Sequence, residues 1–375
     1  MSFIGKKALS ILPAIVFLAL TTLLVEGCQL HRTPDARLTS PVPLLQEILK
    51  STDSPVFITP EFFPSIASLS GPQVSLLPSV TDSESAARDK SAFWKMNRER
   101  HFGAVFLGAS PAWQSLTKSL LASSLWTLTD LSPWGYLFRP KGDHATDWQL
   151  PSDQKLREIW PDTKDRARYM MLTASNLAEI GRLSEATQLL DMAATTKELP
   201  SLLLSTRASL SASQGHWQDA AGYAKKSLDA DTGNHAAREI LIRALIETGS
   251  ADEALDNAQS LITLKGENEN SLFLLARAAN AANSGKEETD ALLRLVTLAR
   301  RHREPLGASL TYLGQAYAKQ GERGNALRAF QEAALAPELS DEQHGVIREL
   351  MDHIMEGNAS SSTLPTLKKP LDTNP

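Results

Sequence analysis

Five glycines constrain this chain more than any other feature. Gly181, Gly215 and Gly249 stand 34 residues apart, and Gly285 and Gly321 follow at steps of 36. Each closes one helical pattern and opens another, as in Leu177-Ala-Glu-Ile-Gly181-Arg-Leu-Ser-Glu-Ala186 and Tyr317-Ala-Lys-Gln-Gly321-Glu-Arg-Gly-Asn-Ala326. Glycine suits a helix C-terminus because it takes the left-handed conformation without a Cβ clash. Five residues on, Ala186, Ala220, Ala254 and Ala326 mark places where a second helix crosses its partner closely. A period of this length means helix pairs, each with an apolar face that only a neighbouring pair can cover. Gly285 arrives two residues late, which predicts a longer turn between Asn280 and Lys286.

The spacing and residue types resemble the tetratricopeptide repeat (TPR). The fifth copy matches best, with Leu313-Gly314, Tyr317, Gly321, Ala326, Phe330 and Ala333 at the motif's packing positions. The other copies keep Ala186 with Ala193, Ala220 with Ala224, and Ala254 with Ala258. The resemblance covers about Ala167 to Pro337 and implies a mainly α chain, a TPR-type α-solenoid of about five helix pairs. In that family the first helix of each pair faces a groove. The matching positions here are Met171 and Ser175, Ser205 and Ser209, Glu239 and Arg243, Phe273 and Arg277, then Thr311, Gln315 and Lys319. The Lys-and-Asn clamp that some members use on chaperone C-termini is not reproduced. A mixed polar groove with one aromatic suits an extended or helical peptide segment. Asp341 to Met355, with Val346, Leu350 and Ile354 at helical spacing, reads as a capping helix, so that residues 161–355 form the solenoid. Residues 356–375 are rich in Ser, Thr and Pro and read as a disordered tail.

The N-terminus reads as an export signal over residues 1–27. Lys6 and Lys7 precede an apolar run, Ala8 to Val25, that no charge interrupts before Glu26. Val25-Glu26-Gly27-Cys28 resembles the bacterial lipobox, in which a small residue precedes a cysteine that is lipidated and becomes the mature N-terminus. Glu26 departs from that pattern. The resemblance implies palmitate-type acylation at Cys28 and a stable anchor without a spanning helix. The other reading is an uncleaved anchor with Cys28 as a free thiol. Both put the bulk of the chain outside the cytoplasm. Gln29, where Asp is absent, favours the outer membrane, facing the periplasm, under the sorting rule of enterobacterial lipoproteins. Residues 28–43, with Pro34, Pro41 and Pro43, read as a tether.

Residues 44–160 have another character. Six of the seven tryptophans lie between Trp94 and Trp160. A helix is expected over Pro43 to Lys50, and strands over Pro55–Thr59, Phe102–Leu107, Leu125–Leu131 and Tyr136–Arg139. Ser110 and Pro111 are expected to open a helix running to about Ala122, with Ser110 at its N-cap. This order suggests a small Trp-rich α/β domain ahead of the solenoid. The string Gly103-Ala-Val-Phe-Leu-Gly, Trp113, Leu120-Leu121, Trp126 and Leu137-Phe138-Arg139 is faintly similar to small extracytoplasmic domains of polytopic membrane glycosyltransferases. It covers about forty residues and includes no catalytic motif.

Little else in the chain reads as chemistry. One cysteine excludes an intrachain disulfide and a zinc site of several thiolates. A net charge of −5 argues against a sequence-blind nucleic-acid binder. Ser110 follows Gly108-Ala109, but Ala112 stands where a nucleophile elbow needs its second glycine. Asp143, His144 and Asp147 are metal-ligating types in a polar loop and read as solvated. Arg300, Arg301, His302 and Arg303 end a helix, where cations complement exposed carbonyls; an anionic partner is the sharper alternative.

The expectation is therefore a non-enzymatic envelope scaffold or adaptor with no cofactor and no metal, whose groove holds an envelope protein or peptide. The alternative is a glycan-related protein whose Trp-rich domain recognises or modifies a saccharide. It needs the tryptophans as a stacking platform rather than as core.

Overall fold

The computed structural model describes residues 36–66, 85–86, 89–142, 145–337 and 339–356. Cys28 and the export segment lie outside these residues, as do residues 357–375 of the expected tail. The chain divides into two compact units, the first ending at Thr206 and the second beginning at Arg207.

The first unit is built on a four-stranded sheet of order β1-β2-β4-β3. Its strands are β1 (Val56–Ile58), β2 (Ala104–Gly108), β3 (Trp126–Ser132) and β4 (Gly135–Pro140). β1 and β2 are parallel and buried at every residue, as expected for strands covered on both faces. β2 pairs antiparallel with β4 (Phe106 opposite Leu137), and β3–β4 is a hairpin through the Pro133-Trp134 turn. A Cβ at Gly135 would fall 2.0 Å from the carbonyl oxygen of Leu107, so only glycine lets these strands approach. All four expected strands are present, within one or two residues.

Side-chain alternation splits the core of this unit. Val56 and Ile58 pack with Leu45, Ile48 and Leu49 of α1 (Val42–Lys50). Phe57 points the other way, edge-on to Phe93 at 5.2 Å, Phe102 at 5.6 Å and Trp113 at 6.1 Å. Phe93 comes from α2 (Lys90–Arg100), which starts on an Asp89 cap that accepts from the Ser91 amide. Two corrections apply here. Ser110 does not cap a helix: a 3₁₀ turn, Pro111–Trp113, comes first, and α3 (Gln114–Leu121) starts from Trp113 without a side-chain cap. Within the stretch read as tether, Leu38 is buried, and the Arg37 guanidinium lies 4.0 Å over the Trp160 ring.

α4 (Asp153–Ile159) leads to the first helical pair, α5 (Thr163–Glu179) and α6 (Leu183–Thr195), and this pair is fastened to the sheet. Tyr136 Oη donates to the Asn176 carbonyl at 3.0 Å, Asn176 Nδ2 donates to the Ser132 carbonyl at 2.8 Å, and Arg182 reaches the Trp148 carbonyl at 3.3 Å. Burial, then the adjacent Glu179 carboxylate, pushes the Tyr136 hydroxyl's pKa well up; burial likewise raises Glu179.

α7 (Pro200–Ser213) carries the division between units. The second unit continues with α8 (Trp217–Ala230), α9 (His235–Glu247), α10 (Ala251–Lys265), α11 (Glu269–Ala281), α12 (Gly285–His302), α13 (Gly307–Lys319), α14 (Arg323–Ala333) and the terminal α15 (Asp341–Met355). One contiguous core, mostly of leucine, isoleucine and alanine side chains with Val296 and Phe330, runs from Ala208 to Ile354, and Ile347, Leu350 and Ile354 of α15 belong to it. Among the described residues no helix is long and apolar enough to cross a membrane.

The turns inside the pairs obey one rule. Gly181, Gly215, Gly249 and Gly321 have φ of +82°, +76°, +79° and +78°. In each case the next residue's amide bonds back five residues: Arg182 to Leu177 (2.9 Å), His216 to Ser211 (2.9 Å), Ser250 to Leu245 (2.8 Å) and Glu322 to Tyr317 (2.9 Å). These are Schellman caps. The fourth pair corrects the sequence reading. Asn283, 34 residues after Gly249, takes the left-handed place with φ +55°, and Ser284 bonds back to Ala279 at 2.8 Å. Asparagine tolerates this conformation better than most residues. Gly285 is the first residue of α12, so the turn is not lengthened. From Asn283 to Gly321 is 38 residues; three of the four extra ones lie within α12, which has 18 where α10 has 15, and the fourth in the turn that follows it.

Candidate functional site

In the second unit the first helices of three successive pairs, α9, α11 and α13, lie side by side, linked by side chains. Arg277 on α11 pairs with Glu247 on α9 at 3.3 Å. Lys319 on α13 donates to Asn280 on α11 at 2.8 Å and pairs with Glu288 on α12 at 3.3 Å. The Phe273 ring on α11 meets Tyr312 on α13 at 5.5 Å. Residues at one register of each helix therefore form a single surface.

The expected groove residues fall into three groups. Met171 and Thr311 are fully buried, and Thr311 donates to the Gly307 carbonyl at 2.7 Å; Ser205 is buried and donates to the Leu202 carbonyl at 3.0 Å. These three face inward because the first helices press that side into the core, so they offer a partner no surface. Ser175, half-buried, returns its hydroxyl to the Met171 carbonyl at 3.3 Å, and Phe273 is half-buried against the core. Ser209, Arg243 and Lys319 are exposed, and Glu239, Arg277 and Gln315 partly so.

Charge along the row is mostly settled internally. Glu239 holds Lys265 at 2.9 Å, Arg277 holds Glu247, and Lys319 holds Glu288. Burial raises the pKa of Glu288, and Lys319 offsets only part of that. Arg243 lies one helical turn from both Glu239 and Glu247, exposed, and neither carboxylate is bonded to it. What the row offers a ligand is an aromatic step at Phe273–Tyr312 and one uncommitted guanidinium.

The other candidates are less productive. Trp113, Trp126, Trp148 and Trp160 are buried, and Trp94 and Trp134 are half-buried with indole N–H groups donating to Ser119 Oγ and the Arg37 carbonyl. Four of these six tryptophans are therefore core and offer no face for stacking. Asp143 and His144 lie outside the described residues, Asp147 is exposed, and among the described residues no three His, Cys, Asp or Glu side chains gather as metal ligands. Of the basic cluster, Arg300 pairs with Glu332, and His302 stands 4.0 Å from Glu269. The Glu61 carboxyl was not singled out from sequence. It is held by the Trp113 indole at 3.2 Å, its other oxygen is buried without a partner, and burial raises its pKa. Glu61 Oε1 sits where a Cβ on Gly108 would be, 2.1 Å from that position.

A scan against protein-family models returns no match, and a search of curated proteins returns none either. Solved structures similar to the chain include MamA (41-end) from Desulfovibrio magneticus RS-1, at 16% identity and TM-score 0.42, covering 46% of this chain and 95% of that one. YrrB, described as a TPR protein with an unusual peptide-binding site, is similar at 15% identity and TM-score 0.44, covering 54% and 100%. TTC0263, a thermophilic TPR protein in Thermus thermophilus, is similar at 12% and 0.39, covering 49% and 97%. The chain is a mainly α protein with a TPR-type solenoid and a small four-stranded sheet near its N-terminus.

Proposed function

We propose that this protein is a lipid-anchored scaffold of the bacterial cell envelope, whose α9–α11–α13 surface holds an extended segment of another envelope protein. The observation that carries the reading is the state of that surface. Its charges are paired except for Arg243, and an aromatic pair stands on the neighbouring helices. A segment with a carboxylate for Arg243 and an apolar side chain for Phe273–Tyr312 would meet both without breaking an existing pair. The anchor rests on the likeness of Val25-Glu26-Gly27-Cys28 to a lipobox, and the outer-membrane address on Gln29.

Cross-linking capture from intact envelopes, comparing the wild-type chain with Arg243→Glu, tests the surface. Arg243 is exposed, so melting should stay within about 0.5 kcal/mol of wild type. Capture should fall at least tenfold; undiminished capture rejects the surface. The anchor is tested separately with a fatty-acid probe. Wild type should be labelled and Cys28→Ser should not; equal labelling removes the lipoprotein reading.

A further inference from the structure

The Glu61 carboxyl is a buried titratable group that the α9–α11–α13 surface does not use. It stands where the two parallel strands end. β1 runs out at Ile58, and Thr59 leads into a 3₁₀ turn, Pro60–Phe62, whose Phe62 amide donates to the Thr59 carbonyl at 3.1 Å. Thr59 ties this end to β2 twice. Its amide donates to the Phe106 carbonyl at 3.2 Å, and its Oγ1 accepts from the Gly108 amide at 3.0 Å. Glu61 extends the tie to the turn before α3, since its Oε2 accepts from the Trp113 indole. One carboxyl therefore joins the end of β1, the end of β2 and the approach to α3.

The site bonds only one of the two oxygens. Oε1 is buried without a hydrogen-bond partner and lies against Gly108, in the space a side chain there would fill. A buried carboxylate oxygen with no donor is costly, whereas a protonated one carries a hydrogen of its own. Thr59 Oγ1, with one lone pair taken by the Gly108 amide, keeps a second to accept it. Burial is the largest influence on the group and favours the neutral form. Its own backbone amide, the Thr59 hydroxyl and the Trp113 indole oppose it, and no charged side chain figures among these influences. We propose that Glu61 works as a proton-operated latch: protonated, it holds the ends of β1 and β2 to the turn before α3, and on losing the proton it lets that end open. An opened Glu61 titrates as an ordinary carboxyl, so the latch is fully closed below that range and is released as pH rises through the higher value of the closed state.

Hydrogen exchange on the full chain, read as protection factors from about pH 4 to about pH 8, tests this. In wild type the Thr59, Phe62 and Gly108 amides should lose protection as pH rises, through a midpoint above the ordinary 4.5. Glu61→Gln keeps a donor and an acceptor without a titrating proton, so those amides should stay protected over the whole range. Gly108→Ala puts a methyl where Oε1 lies and should turn the carboxyl out, leaving protection low and no longer dependent on pH. Wild-type protection that does not change with pH overturns the proposal, as does the same fall in Glu61→Gln or in Gly108→Ala. Loss of protection in Glu61→Gln at acid pH, where wild type is closed, overturns it as well, because the neutral form would then not be the one that holds.

Discussion

Lys319 Nζ lies 3.3 Å from the buried carboxylate of Glu288, linking α13 to α12. Glu288 stands five residues after the left-handed Asn283, where the other four pairs place Ala186, Ala220, Ala254 and Ala326, all without exposed surface. The fourth pair thus puts a carboxyl at the close helix crossing and satisfies it from the next pair. The same corner is bound by Gln320, whose Nε2 donates to the Gly285 carbonyl at 2.9 Å.

This arrangement has a pH signature. Burial lifts the Glu288 carboxyl above its ordinary 4.5, so the folded state binds the proton more tightly than the unfolded chain. The stabilisation from that proton is fully present below the unfolded value and is lost as pH rises through the raised folded one. Glu288→Gln, neutral at every pH, should melt above wild type at pH 7, and the gap should close near pH 4. A Gln variant that melts lower at pH 7 would show that the Lys319 pair outweighs the burial cost.

Gly249 and Gly285 should respond unequally to the same change. Gly249 has φ +79° with open space around its would-be Cβ, so Gly249→Ala bears only the left-handed backbone cost, roughly 1–2 kcal/mol. Gly285 begins a helix, and an added Cβ would meet only the Gln320 side chain, at 3.3 Å. Gly285→Ala should therefore cost well under half as much in urea denaturation. Equal losses would return the turn to Gly285.

That pair of glycines also shows where sequence reasoning stops. The period was legible because four turns use glycine, a residue with a specific steric reason to be there. The fourth turn was misplaced because a nearby glycine outweighed an asparagine at the correct spacing. The strands were legible as short apolar runs, whereas α2 was missed because only Phe93 and Met96 of its 11 residues are buried and charges surround them. Its Asp89 cap was the available signal. The inward turn of Met171 and Thr311 was hidden for another reason: a repeat register gives the side of a helix, not how deeply neighbouring helices bury it. Nor does any local pattern join Tyr136 to Asn176, forty residues apart.

Tyr136→Phe isolates that junction. The ring stays in its site while the hydroxyl loses its bonds to the Asn176 carbonyl and to Glu179 Oε2, the latter at 3.2 Å. The expected cost is about 1 kcal/mol in denaturant unfolding. Hydrogen exchange should quicken in α5 and β4 while α13 and α14 keep their protection. Uniform acceleration along the chain would mean that the junction governs global rather than local opening.

The last test concerns a close crossing in the second unit. Gly314 faces Phe330, and a Cβ there would come within 2.6 Å of the ring, which is fully buried. Gly314→Ala should overpack the α13–α14 contact and cost roughly 1–3 kcal/mol. Phe330→Leu alone should also destabilise, by leaving part of the ring's volume empty. In the double variant the added methyl occupies space that the ring has vacated, so the two losses should not sum. A double-mutant cycle with a coupling of at least about 0.5 kcal/mol in favour of the pair supports direct contact. Strict additivity would mean that the two side chains do not share this space, and that Gly314 is required for backbone geometry instead.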